Sequence, residues 1–296
     1  MRTHPTPLPS MLRGLRRWAL CLALTWGAAA GAAGLVTIVD GEARLVEGAR
    51  AQLATEGLKV ADQTLVRTTA QTRLLRVEWP DGSVADFGPD TQAMLVPPLA
   101  DARHKPPAVY LLRGWVKLAS LSSAPVAGLL APQLEVPPFK GAVVVRAAAS
   151  ETWVFAETGS VRLEERGLRP ASLVQLAEGQ VYRRDAPGKG QASARPTPAE
   201  LQRVPEGFRS ALPLRAAALA GRPVSARAAP PPGYDELRDW LLAEPALRRT
   251  MPRRFGERAR DPAFRAALVE HLRLHADWEA VLFPERFAGP AASASR

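Results

Sequence analysis

The chain has 296 residues, of which 47% are apolar, 6% aromatic and 23% charged, a balance that fits a soluble globular protein and excludes a disordered or multi-span membrane one. A formal charge of +10 rests partly on an N-terminal segment that is expected to be removed, and a single cysteine excludes both a disulfide framework and a thiolate metal cluster. Four histidines leave little material for metal or acid–base chemistry, so composition alone argues against an enzyme.

Arg13, Arg16 and Arg17 precede an uncharged apolar stretch from Trp18 to Trp26, and Ala30-Gly31-Ala32 follows with small residues at alternate positions. That order is the pattern of a cleaved signal peptide over residues 1–32, and the apolar run is too short for a comfortable membrane span. Cleavage after Ala32 removes Arg2, Arg13, Arg16, Arg17 and the lone Cys21, lowering the formal charge to +6. No transmembrane span is expected in what remains. Residues 1–10 carry three prolines, and translation from Met11 is an alternative start.

From residue 33 to 185 the dominant period is two. Short β-branched or aliphatic runs are punctuated by glycine and proline, which predicts an all-β domain, a sandwich or a roll of short strands. Strands are expected over 35–39, 43–47, 73–79, 84–87, 91–96, 109–118, 142–146, 152–155, 160–164, 173–176 and 181–184. Asp81-Gly82-Ser83 marks a hairpin, because Asp-Gly tolerates positive φ at low steric cost. The prolines scattered over 97–108 and 123–140 read as loops, since proline cannot donate to a central ladder.

A weak repeat runs through this domain. Gly41 to Leu45, Gly114 to Leu118 and Gly159 to Leu163 each place a base and a leucine at the same distance after a glycine. Ala54-Thr55-Glu56-Gly57 and Ala177-Glu178-Gly179 share a second element. Stacked β-turns would need that arrangement.

Residues 186–233 hold nine prolines and read as a semi-extended connector, with brief helical turns over 199–203 and 214–219 packed on the β domain. Residues 234–287 change to helical spacing through Tyr234, Leu237 and Trp240, and Asp261-Pro262 looks like an N-cap with proline at the first helical position. A small helical hairpin is expected there. Residues 288–296 read as a disordered tail.

With these segments in place, the first β portion resembles the FecR domain. Thr37-Ile38-Val39-Asp40-Gly41-Glu42-Ala43-Arg44-Leu45 matches its glycine-led opening strand, Trp79-Pro80-Asp81-Gly82-Ser83 its hairpin, and Phe87-Gly88-Pro89-Asp90-Thr91 the turn that follows. Gly159 to Leu163 and Leu176 to Gln180 look like the closing strands. The resemblance covers roughly half the chain and implies a mostly β periplasmic fold. In signalling members of that family an N-terminal cytoplasmic helical domain and a membrane span precede this portion. Only about ten residues precede the leader here, so the sigma-regulator role is not implied.

The chemistry-bearing residues are few. His271 and His275 lie four apart, as helix-borne zinc ligands do, but Leu272 stands where a protease would need its glutamate base. A metal-dependent hydrolase is therefore the weakest of three readings, and no cofactor is expected. Arg248, Arg249, Arg253, Arg254, Arg258 and Arg260 form a basic cluster, yet residues 234–287 balance ten arginines with ten acids, so nucleic acid is not an expected partner. Trp79, Phe87, Trp115, Trp153 and Phe155 fall on expected strands and are mostly core. Trp115, between Arg113 and Lys117 after the intervening Gly114, is the candidate for an exposed binding face. The leading expectation is a non-catalytic exported protein that binds another envelope protein as a binding or signal-sensing module. A cell-wall glycan or anionic polysaccharide is the alternative ligand.

Overall fold

In the computed structural model, residues 34–99, 106–168, 172–185 and 188–287 are described. The leader expected over 1–32 and the tail expected over 288–296 lie outside them. The described chain is mainly β, as its period-two patterning predicts, and its strands form two facing sheets, A and B.

The path begins in sheet A with β1 (Gly34–Asp40). Gly41 turns the chain into sheet B, where β2 (Ala43–Glu47) and β3 (Arg50–Leu53) form a hairpin. A turn at Gly57 returns it to sheet A as β4 (Lys59–Val60), beside β1. β5 (Leu65–Thr68) joins β2 in sheet B. β6 (Leu74–Glu78) lies beside β1 and forms a hairpin with β7 (Ser83–Phe87) in sheet A. β8 (Gln92–Leu95) then pairs with β5 in sheet B.

The longest strand, β9 (Val109–Ser120), belongs to both sheets: residues 109–113 pair with β8 and residues 116–120 with β7. Beyond it, β10 (Leu129–Ala131) runs parallel to the start of β9 and forms a hairpin with β11 (Leu134–Val136). β12 (Ala142–Ala147) flanks the second half of β9, and β13 (Glu151–Thr158) pairs with β12 in sheet A. Gly159 sends the chain to sheet B as β14 (Val161–Glu165), beside β11, in a hairpin with β15 (Ser172–Leu176). β16 (Val181–Asp185) returns to sheet A beside β13. Two short strands from the proline-rich stretch extend the sheets: β17 (Gln191–Ser193) on β16, and β18 (Arg227–Ala229) on β3.

The glycines that open the three sequence repeats, Gly41, Gly114 and Gly159, are the corners where the chain crosses between sheets. At Gly114 φ is +97°, and a Cβ there would stand 2.4 Å from the Thr91 Cα. Only glycine fits that approach. Val36, Leu45, Val77, Phe87, Leu111, Leu118, Val145 and Leu163 fill the space between the sheets and are inaccessible to solvent. Burial of each such side chain contributes roughly 1.5–3 kcal/mol, and this seam supplies most of the driving force.

Each sheet is also covered on its outer face. α1 (Pro198–Arg203), a 3-10 turn at Glu206–Phe208 and α2 (Ala216–Leu219) lie on sheet A, where Val204 and Phe208 pack against Leu74, Val144, Trp153 and Val181. Thr197 and Glu200 form a capping box at the start of α1. On sheet B lie α3 (Tyr234–Leu241), α4 (Pro245–Arg248), α5 (Met251–Phe255), α6 (Pro262–Glu270) and α7 (Glu279–Leu282). Leu237, Trp240, Leu241 and Phe255 from these helices cluster with Val46, Leu65, Met94 and Tyr110 of the sheet. Asp261 caps α6 by accepting from the Phe264 N–H at 2.9 Å, with Pro262 as the first helical residue. Among the described residues no helix is long and apolar enough to cross a membrane.

Candidate interaction surfaces

The outer face of sheet A carries a row of four side chains, one on each of four neighbouring strands. Trp115 of β9 stands opposite Arg146 of β12, which is opposite Trp153 of β13, which is opposite Arg183 of β16. The two indoles meet edge-on with centroids 5.8 Å apart, and the Arg146 guanidinium lies 5.6 Å from the Trp115 ring. Such an alternation of rings and cations could hold a glycan or an acidic peptide. Here the chain itself occupies it. Trp153 donates its indole N–H to Glu200 of α1 at 2.9 Å, and Arg183 forks onto the same carboxylate. The Thr197 N–H and hydroxyl add bonds of 2.7 and 2.8 Å. Arg183, more than the other donors, holds the Glu200 carboxyl down at about 2.

The residues singled out in the sequence do not form one face. Trp115 and Lys117 follow Gly114 and share the outer side of sheet A, where Lys117 donates to the Phe208 carbonyl at 2.8 Å and pairs with Glu157 at 2.5 Å. Arg113 precedes the corner and pairs instead with Asp239 of α3 at 3.4 Å. The aromatic–basic face expected on Trp115, Arg113 and Lys117 is thus divided, because a positive-φ corner breaks the alternation that strand spacing assumes. Its larger part is packed against residues 197–208. Asp81 and Gly82 form the turn between β6 and β7, with the Ser83 N–H donating to the Asp81 carboxylate at 2.8 Å.

Next to this row, the strap at residues 209–212 and sheet A enclose a cleft of about 350 Å³ lined by Arg76, Asp86, Lys117, Glu157 and Arg209. Its charges are internal ties. Arg76 forks onto Asp86 at 2.6 and 2.8 Å and reaches the Leu212 carbonyl at 3.1 Å. Burial lifts the Asp86 carboxyl above its ordinary value against the opposing pull of Arg76. Glu78, also buried, accepts from the Thr37 hydroxyl at 2.7 Å and from the N–H groups of Arg215 and Ala216 at 3.0 and 2.9 Å. These buried carboxylates, which sequence spacing could not pair, fasten the proline-rich stretch to sheet A.

The two histidines lie in the helical layer. His275 is 1% exposed and shares a 2.7 Å hydrogen bond between its Nε2 and the Tyr234 hydroxyl. Burial, followed by the nearby His271 and Arg238, holds its pKa below the ordinary value. Among the described residues no group of three or more His, Cys, Asp or Glu side chains could hold a metal.

The sheet edges differ from this closed interior. The chain's own strands cover the outer side of β3 with β18 and of β16 with β17. β15, by contrast, pairs only with β14 among the described residues. Its sequence, Ser172-Leu173-Val174-Gln175-Leu176, has no charge and no proline, and Leu173 is 58% exposed. Natural edges are usually blunted by lysine, proline or a bulge. Sequence reading placed a strand at 173–176 but missed its edge position. An uncharged run without proline reads as an interior strand, so the residues themselves gave no signal of the edge.

The fold and these surfaces define a two-sheet, mainly β protein with a helical outer layer. No family model and no curated protein matches the chain. Among solved structures it is similar to two crystal structures described as a "putative anti-sigma factor" from Parabacteroides distasonis, at 16% and 17% identity with TM-scores of 0.35 and 0.34. Each match covers 44% of this chain and 58% of the other, so the chain spans less than two thirds of their length.

Proposed function

We propose that this chain is an exported, non-catalytic module of the FecR-domain type that acts in the cell envelope by binding another protein. Export is supported by the basic, apolar and small-residue order of residues 11–32, and the domain type by the motifs at 37–45, 79–83 and 87–91. The observation that carries the binding role is the uncharged edge of β15, along which no described strand lies and which offers backbone groups to an extended segment. The buried charges on sheet A fit a scaffold, since each is tied to the chain's own backbone or side chains.

The test is fractionation of cells producing the tagged chain, with mass analysis of its N-terminus and crosslinking in intact envelopes. A mature start at Ala33 outside the cytoplasm, with a crosslinked envelope protein, is the expected result. Retention in the cytoplasm with an intact leader overturns the export reading, and hydrolase activity lost in His271→Ala overturns the non-catalytic one.

A further inference from the structure

The two ends of the β domain are built alike, and the likeness assigns an occupant to the open edge. In the first unit the chain runs β1, Gly41, β2, β3, Gly57, β4. In the second it runs β13, Gly159, β14, β15, Gly179, β16. Both cross from sheet A to sheet B, form a hairpin there and return beside the strand they left. Both returning glycines have positive φ, +87° and +80°, and each donates its N–H to a carbonyl of the unit's first strand at 2.7 Å. The sequences agree across the return: Ala51-Gln52-Leu53-Ala54-Thr55-Glu56-Gly57 matches Val174-Gln175-Leu176-Ala177-Glu178-Gly179 with one residue omitted. β3 and β15 are therefore equivalent strands.

The equivalent edges are treated differently. β18 lies antiparallel along β3, with Arg227 opposite Leu53, Ala228 opposite Gln52 and Ala229 opposite Ala51. Arg44 fixes its end through the Pro230 carbonyl at 2.8 Å. No described strand lies along β15. The correspondence also places Leu173 where the first unit has Arg50, so an exposed charge in one unit is an exposed leucine in the other. Two of the described charges beside β15 are already matched: Arg162 pairs with Glu164 at 2.8 Å, and Arg166 forks onto Glu244 at 2.6 and 3.2 Å.

We propose that β15 takes an extended segment of a partner polypeptide by antiparallel strand addition, in the manner of β18 on β3. The occupant has small uncharged side chains opposite Val174 and Gln175, as Ala229 and Ala228 stand opposite Ala51 and Gln52, and an apolar residue opposite Leu173. Main-chain hydrogen bonds supply the affinity, and the uncharged strip selects against acidic segments. This deepens the protein-binding role proposed above and rests on it for its biological setting.

An acetylated peptide copying Val224–Pro230, which would set Pro230 opposite Leu173, is titrated into the purified chain while amide hydrogen exchange is followed residue by residue. Exchange at Ser172–Leu176 is expected to slow by about tenfold or more at saturation, since pairing removes the edge amides from solvent. The effect should weaken in Leu173→Lys and vanish with a peptide carrying Glu in place of its two adjacent alanines. Protection at Ala51–Leu53, or none at Ser172–Leu176, overturns the assignment. So does concentration-dependent protection without peptide together with a dimer that Leu173→Lys dissolves, which would make a second copy the occupant. Peptide binding is measured on purified protein, so a failed export test leaves this result standing, and the reverse also holds.

Discussion

Trp153 and Glu200 join two layers of the molecule through one hydrogen bond of 2.9 Å from the indole N–H to the carboxylate. The carboxylate is shared with Arg183 and with the cap of α1, so strand, helix start and cation depend on one another. Glu200→Gln removes the charge opposite Arg183 and is expected to cost about 1–2 kcal/mol, or roughly 3–8 °C in Tm. The acid dependence follows from the lowered pKa. This stabilisation is complete above the ordinary value of 4.5 and is lost as the pH falls towards about 2. Thermal melts from pH 5 to 2 should therefore show a shallower decline in the variant.

Gly114→Ala should be far more damaging than its chemistry suggests. The added methyl meets the Thr91 backbone at 2.4 Å, in a conformation that side chains avoid, and a cost above about 3 kcal/mol is expected. Gly167→Ala is the control, because φ there is +77° but no described atom lies within 4 Å of the new Cβ. It should cost only about 1 kcal/mol. Equal melting temperatures for the two variants would contradict the crossing geometry.

These corners show what could be read from the residues and what could not. Period-two runs located most strands, and Asp81-Gly82 marked the turn between β6 and β7, because alternation and turn chemistry are local properties. The repeated glycines at 41, 114 and 159 were visible too. That each one changes sheets was not, since a sheet assignment depends on partners far along the chain. The same gap explains the divided face at Trp115. Residues 113, 115 and 117 share a side only if the strand is unbroken, and Gly114 breaks it. The ties from Glu78 to Arg215 and Ala216, with about 137 residues between them, leave no sequence trace.

Acid should loosen the helical layer. His275 is held below its ordinary pKa by burial, with His271 and Arg238 adding repulsion and Tyr234 facing its Nε2. The folded state thus binds fewer protons than the unfolded one, so stability rises with pH and is lost as the pH falls below the ordinary value of 6.5. Protection factors over residues 234–282, which take out the intrinsic slowing of amide exchange in acid, should fall between pH 7 and 5 in the native chain. His275→Gln, which keeps a polar partner for Tyr234, should flatten that dependence. A profile unchanged in the variant would assign the effect elsewhere.

The turn between β6 and β7 is also anchored from outside. Ser122 donates its hydroxyl to the Asp81 carbonyl at 2.6 Å, and a Cβ on Gly82 would lie 2.7 Å from the Ser122 Cβ. Gly82→Val combined with Asp81→Ala should lower the Tm by several degrees, through strain at positive φ and loss of the Ser83 N–H partner. Circular dichroism melts would measure this, and an unaltered midpoint would refute the pairing of Leu75 with Phe87.

Because β9 is a member of both sheets, the two-sheet domain cannot be cut on either side of this strand without stranding its neighbours. A fragment ending before residue 109 leaves β7 and β8 without their shared neighbour, and one beginning after residue 120 deprives β10 and β12 of theirs. Neither half should survive alone as a soluble piece, and the two should recover a native spectrum only when mixed with that strand intact on one of them.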